Sequence, residues 1–169
     1  MLLRIVTGER DAGKTRVVKD LVGSPGAAGI YQPKLLEEGE VVGYDLVLFG
    51  PTVEGVERMA VARLRRPAGE GWFRFRRFWF SPDAFARAAA RAGELCRGAQ
   101  ATAGGIASGA GLFLDEAGPL EVEGRGLAPA LTTFLATSLD VTVTVRPTLV
   151  AWARSLGEGR RIEVVDLSG

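Results

Sequence analysis

The sequence predicts an α/β fold, a mostly parallel central sheet flanked by helices, and three observations carry that prediction. The apolar run Leu2-Leu3-Arg4-Ile5-Val6 feeds directly into the glycine-rich stretch from Gly8 to Thr15, which opens a helix. A second apolar run, Ala110 to Leu114, ends in Asp115-Glu116, and a third, Val141 to Val145, alternates valine with threonine and stops at Arg146-Pro147. Short apolar or β-branched runs alternating with helical patterns are how buried parallel strands read. In such sheets ligands gather at the carboxyl ends of the strands, where all three runs present their polar residues.

The 169 residues suit one domain, 1–169, with a sizeable core, since 47% of them are apolar. No internal repeat or linker interrupts them. A net charge of +1 argues against a protein whose main task is to coat nucleic acid or a membrane surface. There is no histidine, which excludes imidazole bases and ligands and leaves proton transfer to carboxylates or water. The lone Cys96 can form neither an internal disulfide nor a thiolate zinc cluster, and reads as a plain helix residue in a reducing setting. The chain enters a strand at once without a signal-peptide pattern, and no apolar run approaches membrane-spanning length. A cytoplasmic monomer with no membrane partner is therefore expected.

The first element sets the chemistry. Gly8-Glu9-Arg10-Asp11-Ala12-Gly13-Lys14-Thr15 fits the phosphate-binding pattern G-x-x-x-x-G-K-[ST] directly after a strand. Wrapping a triphosphate takes a curl of backbone N–H groups, and glycine allows both the curl and the close approach. Lys14 then reaches the β and γ oxygens, the Thr15 hydroxyl is placed to hold Mg²⁺, and the helix start adds its positive dipole end. Gly8 to Thr15, with Arg16 following, is thus the expected nucleotide-binding segment.

Along the rest of the chain, Thr15 to Val22 reads as a short helix with Val17, Val18, Leu21 and Val22 apolar, ended by Gly23-Ser24-Pro25-Gly26. Ala28 to Gln32 is a strand stopped by Pro33; Lys34 to Glu40 is a charged turn, and Val41 to Phe49 a second strand completing a hairpin. Glu57 to Leu64 is another strand. The interleaved aromatics and arginines of Trp72 to Phe80 can be read as a platform for single-stranded nucleic acid. The alternation fits a half-buried strand better, with a bulge near Arg77 to account for the slip in phase. Ser81-Pro82-Asp83 is a helix start, with the helix running to about Arg97 and ended by Gly98. Ala99 to Gly109 is a connector or a loop over the site.

At the second apolar run, a buried central strand delivers Asp115 to the Mg²⁺ shell opposite Thr15 and Glu116 to the attacking water as general base. After the turn Gly118-Pro119-Leu120-Glu121, Arg125 to Ser138 reads as a helix with Leu127, Leu131, Phe134 and Leu135 inward. The Val141 to Val145 strand places Arg146 on the same sheet edge, a candidate cation for transition-state charge. Thr148 to Leu156 forms the last helix and Ile162 to Val165 a closing strand.

Together the loop Gly8 to Thr15, the segment Gly29-Ile30-Tyr31-Gln32-Pro33 with Gly43-Tyr44-Asp45, and the run Asp115-Glu116-Ala117-Gly118-Pro119-Leu120-Glu121 resemble a known family. It is the small nucleoside-triphosphatase family first known from thermophiles, with a cancer-related human member, and the last run is similar to its D-E-I-G-x-[ML]-E signature. The resemblance spans nearly the whole chain and implies a RecA-like P-loop fold with an added antiparallel hairpin. It further implies Mg²⁺ dependence and slow hydrolysis of ATP, GTP and other nucleoside triphosphates to diphosphate and phosphate. By position, Lys14 would be the phosphate-binding lysine, Thr15 and Asp115 the magnesium residues, and Glu116 the catalytic acid. The chain departs from the family in three places: Ala117 stands where isoleucine is usual, Arg16 where a second small hydroxyl residue is common, and Glu9 with Asp11 put carboxylates inside an anion-binding loop. Those acids must point outward for the loop to hold a triphosphate.

The leading reading is a broad-specificity, Mg²⁺-dependent NTPase in which Lys14, Glu116 and Arg146 act on the nucleotide. A small nucleotide or cofactor kinase needs an acceptor pocket, for which Trp72 to Phe80 and Ala99 to Gly109 are the candidates. A nucleotide-dependent RNA-binding switch would use the Arg/aromatic segment instead; nucleic acid is the less favoured partner.

Overall fold

The computed structural model describes residues 1–9, 11–51, 56–103 and 111–168. Each apolar run is a strand of a single sheet, whose order is β10-β1-β9-β8-β2-β4-β5-β7-β6, with β3 paired to β4 off that path. The parallel half comprises β10 (Arg161–Asp166), β1 (Leu2–Thr7), β9 (Val141–Val145), β8 (Gly111–Ala117) and β2 (Ala27–Tyr31). From β2 outward every pairing is antiparallel, through β4 (Glu40–Phe49), β5 (Glu57–Arg63), β7 (Phe78–Phe80) and β6 (Phe73–Phe75). Parallel central strands flanked by helices are the predicted architecture, while the antiparallel addition comprises the five strands β3 to β7 and not a single hairpin.

Burial explains the parallel half. All five residues of β9 are buried, so the strand reads as β-branched throughout rather than alternating. One face packs on α2 (Pro82–Ala103), α4 (Ala128–Leu135) and α5 (Val150–Ser155), with Leu3, Ile5, Leu112, Leu114 and Val143 meeting Ala88, Ala92, Leu95, Phe134 and Ala153. Helix α1 (Lys14–Lys19) covers the other face through Val18, against Ala27, Phe49 and Phe113. Gly29 lets β2 close on β8, since a Cβ there would meet the Phe113 carbonyl oxygen at 2.1 Å. Cys96 is buried in the α2 core, as a plain helix residue.

Several elements differ from the sequence reading, each for a physical reason. Helix α1 ends at Lys19; the bonds Leu21 N–H to Val18 O and Val22 N–H to Lys19 O tighten the chain into turns up to Ser24, and Val17 faces solvent. The supposed charged turn contains a strand, β3 (Lys34–Glu37), which pairs with the first half of β4 while β2 pairs with the second half. Strands β2 and β3 thus lie along the same edge of β4, interrupted at Gln32-Pro33, where proline lacks the N–H to continue a ladder.

The Trp72 to Phe80 segment is a hairpin, not one bulged strand. Phe73 pairs with Phe80 and Phe75 with Phe78, and Arg76 turns the chain at φ 54°. Ser81 does cap α2, its Oγ accepting the Ala84 N–H at 3.2 Å. The helix, however, runs through Gly98 to Ala103, because Leu95 and Ala99 on either side are fully buried and outweigh a helix-interior glycine's cost of about 1 kcal/mol. The rest of the expected connector, 104–109, lies outside the described residues, as does Ala110 of the expected strand. Pro119–Val122 form a short helix α3, α4 is shorter than expected, and a 3₁₀ turn at Pro147–Leu149 precedes α5.

Candidate functional site

The carboxyl end of β1 turns into the glycine-rich loop with unusual backbone angles. Gly8 has φ 156°, Asp11 φ 68° and Gly13 φ 89°, and a Cβ on Gly8 would lie 2.9 Å from the Ala12 Cβ. The buried Lys14 ammonium holds the curl from inside, donating to the carbonyls of Gly8 at 2.6 Å and Glu9 at 2.7 Å. Of the acids inside the loop, Glu9 is exposed, and the Asp11 carboxylate, 68% exposed, pairs with Lys34 at the wall of the cleft beside Lys14 and Thr15. Arg16 sets its guanidinium 3.8 Å from Asp20, and both residues line the cleft over the loop. Arg10 lies outside the described residues.

Strand β8 carries the acids differently from a simple strand end. Its ladder with β9 slips between Leu114 and Ala117, and Glu116 sits at φ 61°, a backbone region that glutamate rarely enters. This bulge turns Glu116 toward the cleft while Asp115 stays fully buried. Thr144 of β9 ties the pair together. Its hydroxyl donates to Asp115 Oδ1 at 2.5 Å and accepts the Glu116 N–H at 2.8 Å. Gln32 holds the other side, its Nε2 donating to the Asp115 carbonyl at 3.2 Å. Burial raises the Asp115 carboxyl to about 6, with the Glu116 charge adding to the rise; hydrogen bonds from Thr144, Thr15 and the Gln32 amide oppose it.

Lys14, Thr15 and Glu116 line one cleft of about 480 Å³, together with Gly13, Asp11, Arg16 and Lys34. Glu116 also borders a neighbouring cavity of about 400 Å³, and there Arg146 joins it. The loop lysine, the threonine and both acids therefore converge, although Lys14 and Asp115 are far apart in sequence; Arg146 is brought to Glu116 from the opposite side. Sequence reasoning missed Thr144 and Gln32 as residues of the site. The signal for Thr144 was a threonine in a strand buried along its whole length, where a hydroxyl must find a partner.

The donor set fits magnesium. A hydroxyl and a buried carboxylate are hard oxygen ligands, and the Thr15 hydroxyl is near enough to Asp115 to hold its carboxyl down against burial. Among the described residues no cluster of three or more His, Cys, Asp or Glu could enclose a metal by itself.

No family model matches the chain, and no curated protein matches it. Among solved structures it is similar to THEP1 from the hyperthermophile Aquifex aeolicus, with a TM-score of 0.61 and 16% identity over 99% of this chain and 90% of that one. It is similar also to a human cancer-related nucleoside triphosphatase, with a TM-score of 0.62 and 18% identity over 98% of this chain and 88% of that one. The resemblance read from the loop and the Asp115 to Glu121 run thus holds in three dimensions, and the chain has the fold of the small P-loop nucleoside triphosphatases.

Proposed function

We propose that this protein is a Mg²⁺-dependent nucleoside triphosphatase that hydrolyses ATP, GTP and other nucleoside triphosphates to the diphosphate and phosphate, with broad base specificity. The observation that carries the reading is the single cleft lined by Lys14, Thr15 and Glu116, with Asp115 bonded beneath it. The loop amides wrap the phosphates, and Lys14, released from the Gly8 and Glu9 carbonyls, reaches the β and γ oxygens. Thr15 and Asp115 hold magnesium, which neutralises phosphate charge when bound.

Glu116 orients a water on the γ side and takes its proton as the new O–P bond forms; the bond from phosphorus to the β–γ bridging oxygen breaks and the diphosphate leaves. Arg146, beyond Glu116, offers a cation to the charge spread over the γ oxygens. Positioning and charge supply most of the rate. None of this needs a contact to the base, in keeping with broad specificity.

The test is a panel of nucleoside triphosphates with and without Mg²⁺, scored by phosphate release with no acceptor present. Glu116→Gln is expected to keep nucleotide binding and to lose about 10²-fold or more in turnover. Unchanged turnover would remove Glu116 from this role, and no phosphate release by the wild type would favour transfer to an acceptor.

A further inference from the structure

The cavity on the far side of Glu116 has walls that, Glu116 and Arg146 apart, the hydrolytic reading does not use. Tyr44, Phe75, Phe78 and Phe80 form its aromatic side and Arg76, Arg77 and Arg146 its cationic side. We propose that it is a second ligand site for a small aromatic phosphate ester of the nucleoside monophosphate class, which stacks its ring on the Tyr44 and Phe78 wall and sets its phosphate among the three arginines. The proposal rests on the reading of the neighbouring cleft only in placing that phosphate toward the γ end of a bound triphosphate.

Charge identifies the ligand as an anion. Nearby on the antiparallel strands and α2, Arg58 and Arg63 pair with Asp45, and Arg87 and Arg91 with Glu57. Among the described residues Arg76, Arg77 and Arg146 form no ion pair. Of the two carboxylates on the wall, Glu121 is committed to the N–H groups of Gly118 at 2.7 Å and Leu127 at 2.8 Å, leaving only Glu116 to balance three guanidiniums. Guanidinium forks match phosphate oxygens, and such pairs are strengthened in a partly enclosed site.

The hairpin turn makes a separate argument. Two-residue turns favour Asn-Gly or Asp-Gly because the backbone must enter the left-handed region. Here the turn is Arg76-Arg77, with Arg76 at φ 54°. A position that favours glycine or asparagine carries an arginine here, and strained backbone of this kind gathers at functional sites.

Aromaticity and size narrow the class. Tyr44 and Phe78 meet edge to face at 5.5 Å, Arg77 lies over the Phe78 ring at 4.8 Å and Arg76 over the Phe75 ring at 5.8 Å, and the four half-buried rings line a hollow of about 400 Å³, the size of a small-molecule site. A long polyanion is disfavoured by the chain's net charge of +1 and by the concave shape of the site.

The test is calorimetric titration of the full chain with AMP, CMP, GMP and UMP, with a non-hydrolysable Mg·triphosphate analogue filling the cleft so that the added ligand cannot bind there. At least one monophosphate is expected to bind in the sub-millimolar range, its parent nucleoside and inorganic phosphate each more weakly. The variant Arg76→Asn/Arg77→Gln, which keeps a residue suited to the turn, is expected to weaken that binding by about tenfold or more and to leave triphosphate turnover within about twofold of the wild type. The proposal is overturned if no monophosphate binds the wild type, if the double variant binds equally well, or if only an oligonucleotide binds, in a salt-sensitive way. Should the analogue itself fail to bind, the hydrolytic reading falls, and the same titration of the analogue-free chain still decides whether this cavity holds a monophosphate.

Discussion

Asp115 is fully buried beside a second acid, and its carboxyl is raised from 3.8 to about 6, with burial the largest cause. Between those two values the folded chain keeps a proton that the unfolded chain has released. Stability must therefore fall as pH rises through that window, by about 3 kcal/mol once both states are ionised. Without metal the ionised group is a cost, and a cation placed against it would relieve that cost. In Mg²⁺-free buffer, Asp115→Asn is expected to gain on the wild type by about 3 kcal/mol between pH 4 and pH 7, as read from urea unfolding at each pH. A constant gap would mean that the Thr144 and Thr15 bonds already compensate the charge. At this scale the sequence singled out Lys14, Thr15, Asp115 and Glu116 as candidates, because the proposed chemistry needs fixed types at fixed spacing, and the fold brings them together. It did not disclose Thr144, whose role depends on the Leu114 and Val143 register between β8 and β9.

Among the elements, the short helix α3 shows how the acid pair is kept in place. The Glu121 carboxylate bridges the Gly118 N–H, just after the bulge, to the Leu127 N–H at the start of α4. Burial raises its carboxyl and those two amides oppose the rise. Glu121→Ala leaves both N–H groups without an acceptor, one of them buried, and is expected to cost about 2–4 kcal/mol in urea unfolding, with Glu121→Gln milder. Equal stability of the alanine variant would show that water replaces the carboxylate. The run from Asp115 to Glu121 thus joins two site acids to a brace. The elements that the sequence misplaced are those lacking their usual punctuation. The Arg76-Arg77 turn has no glycine or asparagine, so two strands looked like one, and Gly98 looked like a stop although the helix stays buried past it.

Across the whole molecule, the site draws on β1 and its loop, α1, β8 and β9, so a ligand spanning it ties segments from both ends of the chain. Binding to the folded state alone stabilises it by about 2.7 kcal/mol at 100 times Kd. In a domain of this size that is a rise of about 5–10 °C in Tm. A non-hydrolysable triphosphate with Mg²⁺ is expected to give such a shift in differential scanning fluorimetry, and Thr15→Ala to lose the part that depends on Mg²⁺. A shift of equal size in EDTA would argue against Thr15 and Asp115 as the metal residues.

By itself the sequence determined the parallel core, the glycine-rich loop after its first strand and the candidate acids, because apolar runs, glycine spacing and residue chemistry are local properties that folding does not alter. The tertiary structure alone decided what lies next to what. It placed Thr144 across from Asp115, set the bulge that turns Glu116 between two cavities, and folded the Arg/aromatic segment into a hairpin over the second of them. Those relations depend on strand order and register, which are set by the burial of whole faces rather than by any short stretch of residues.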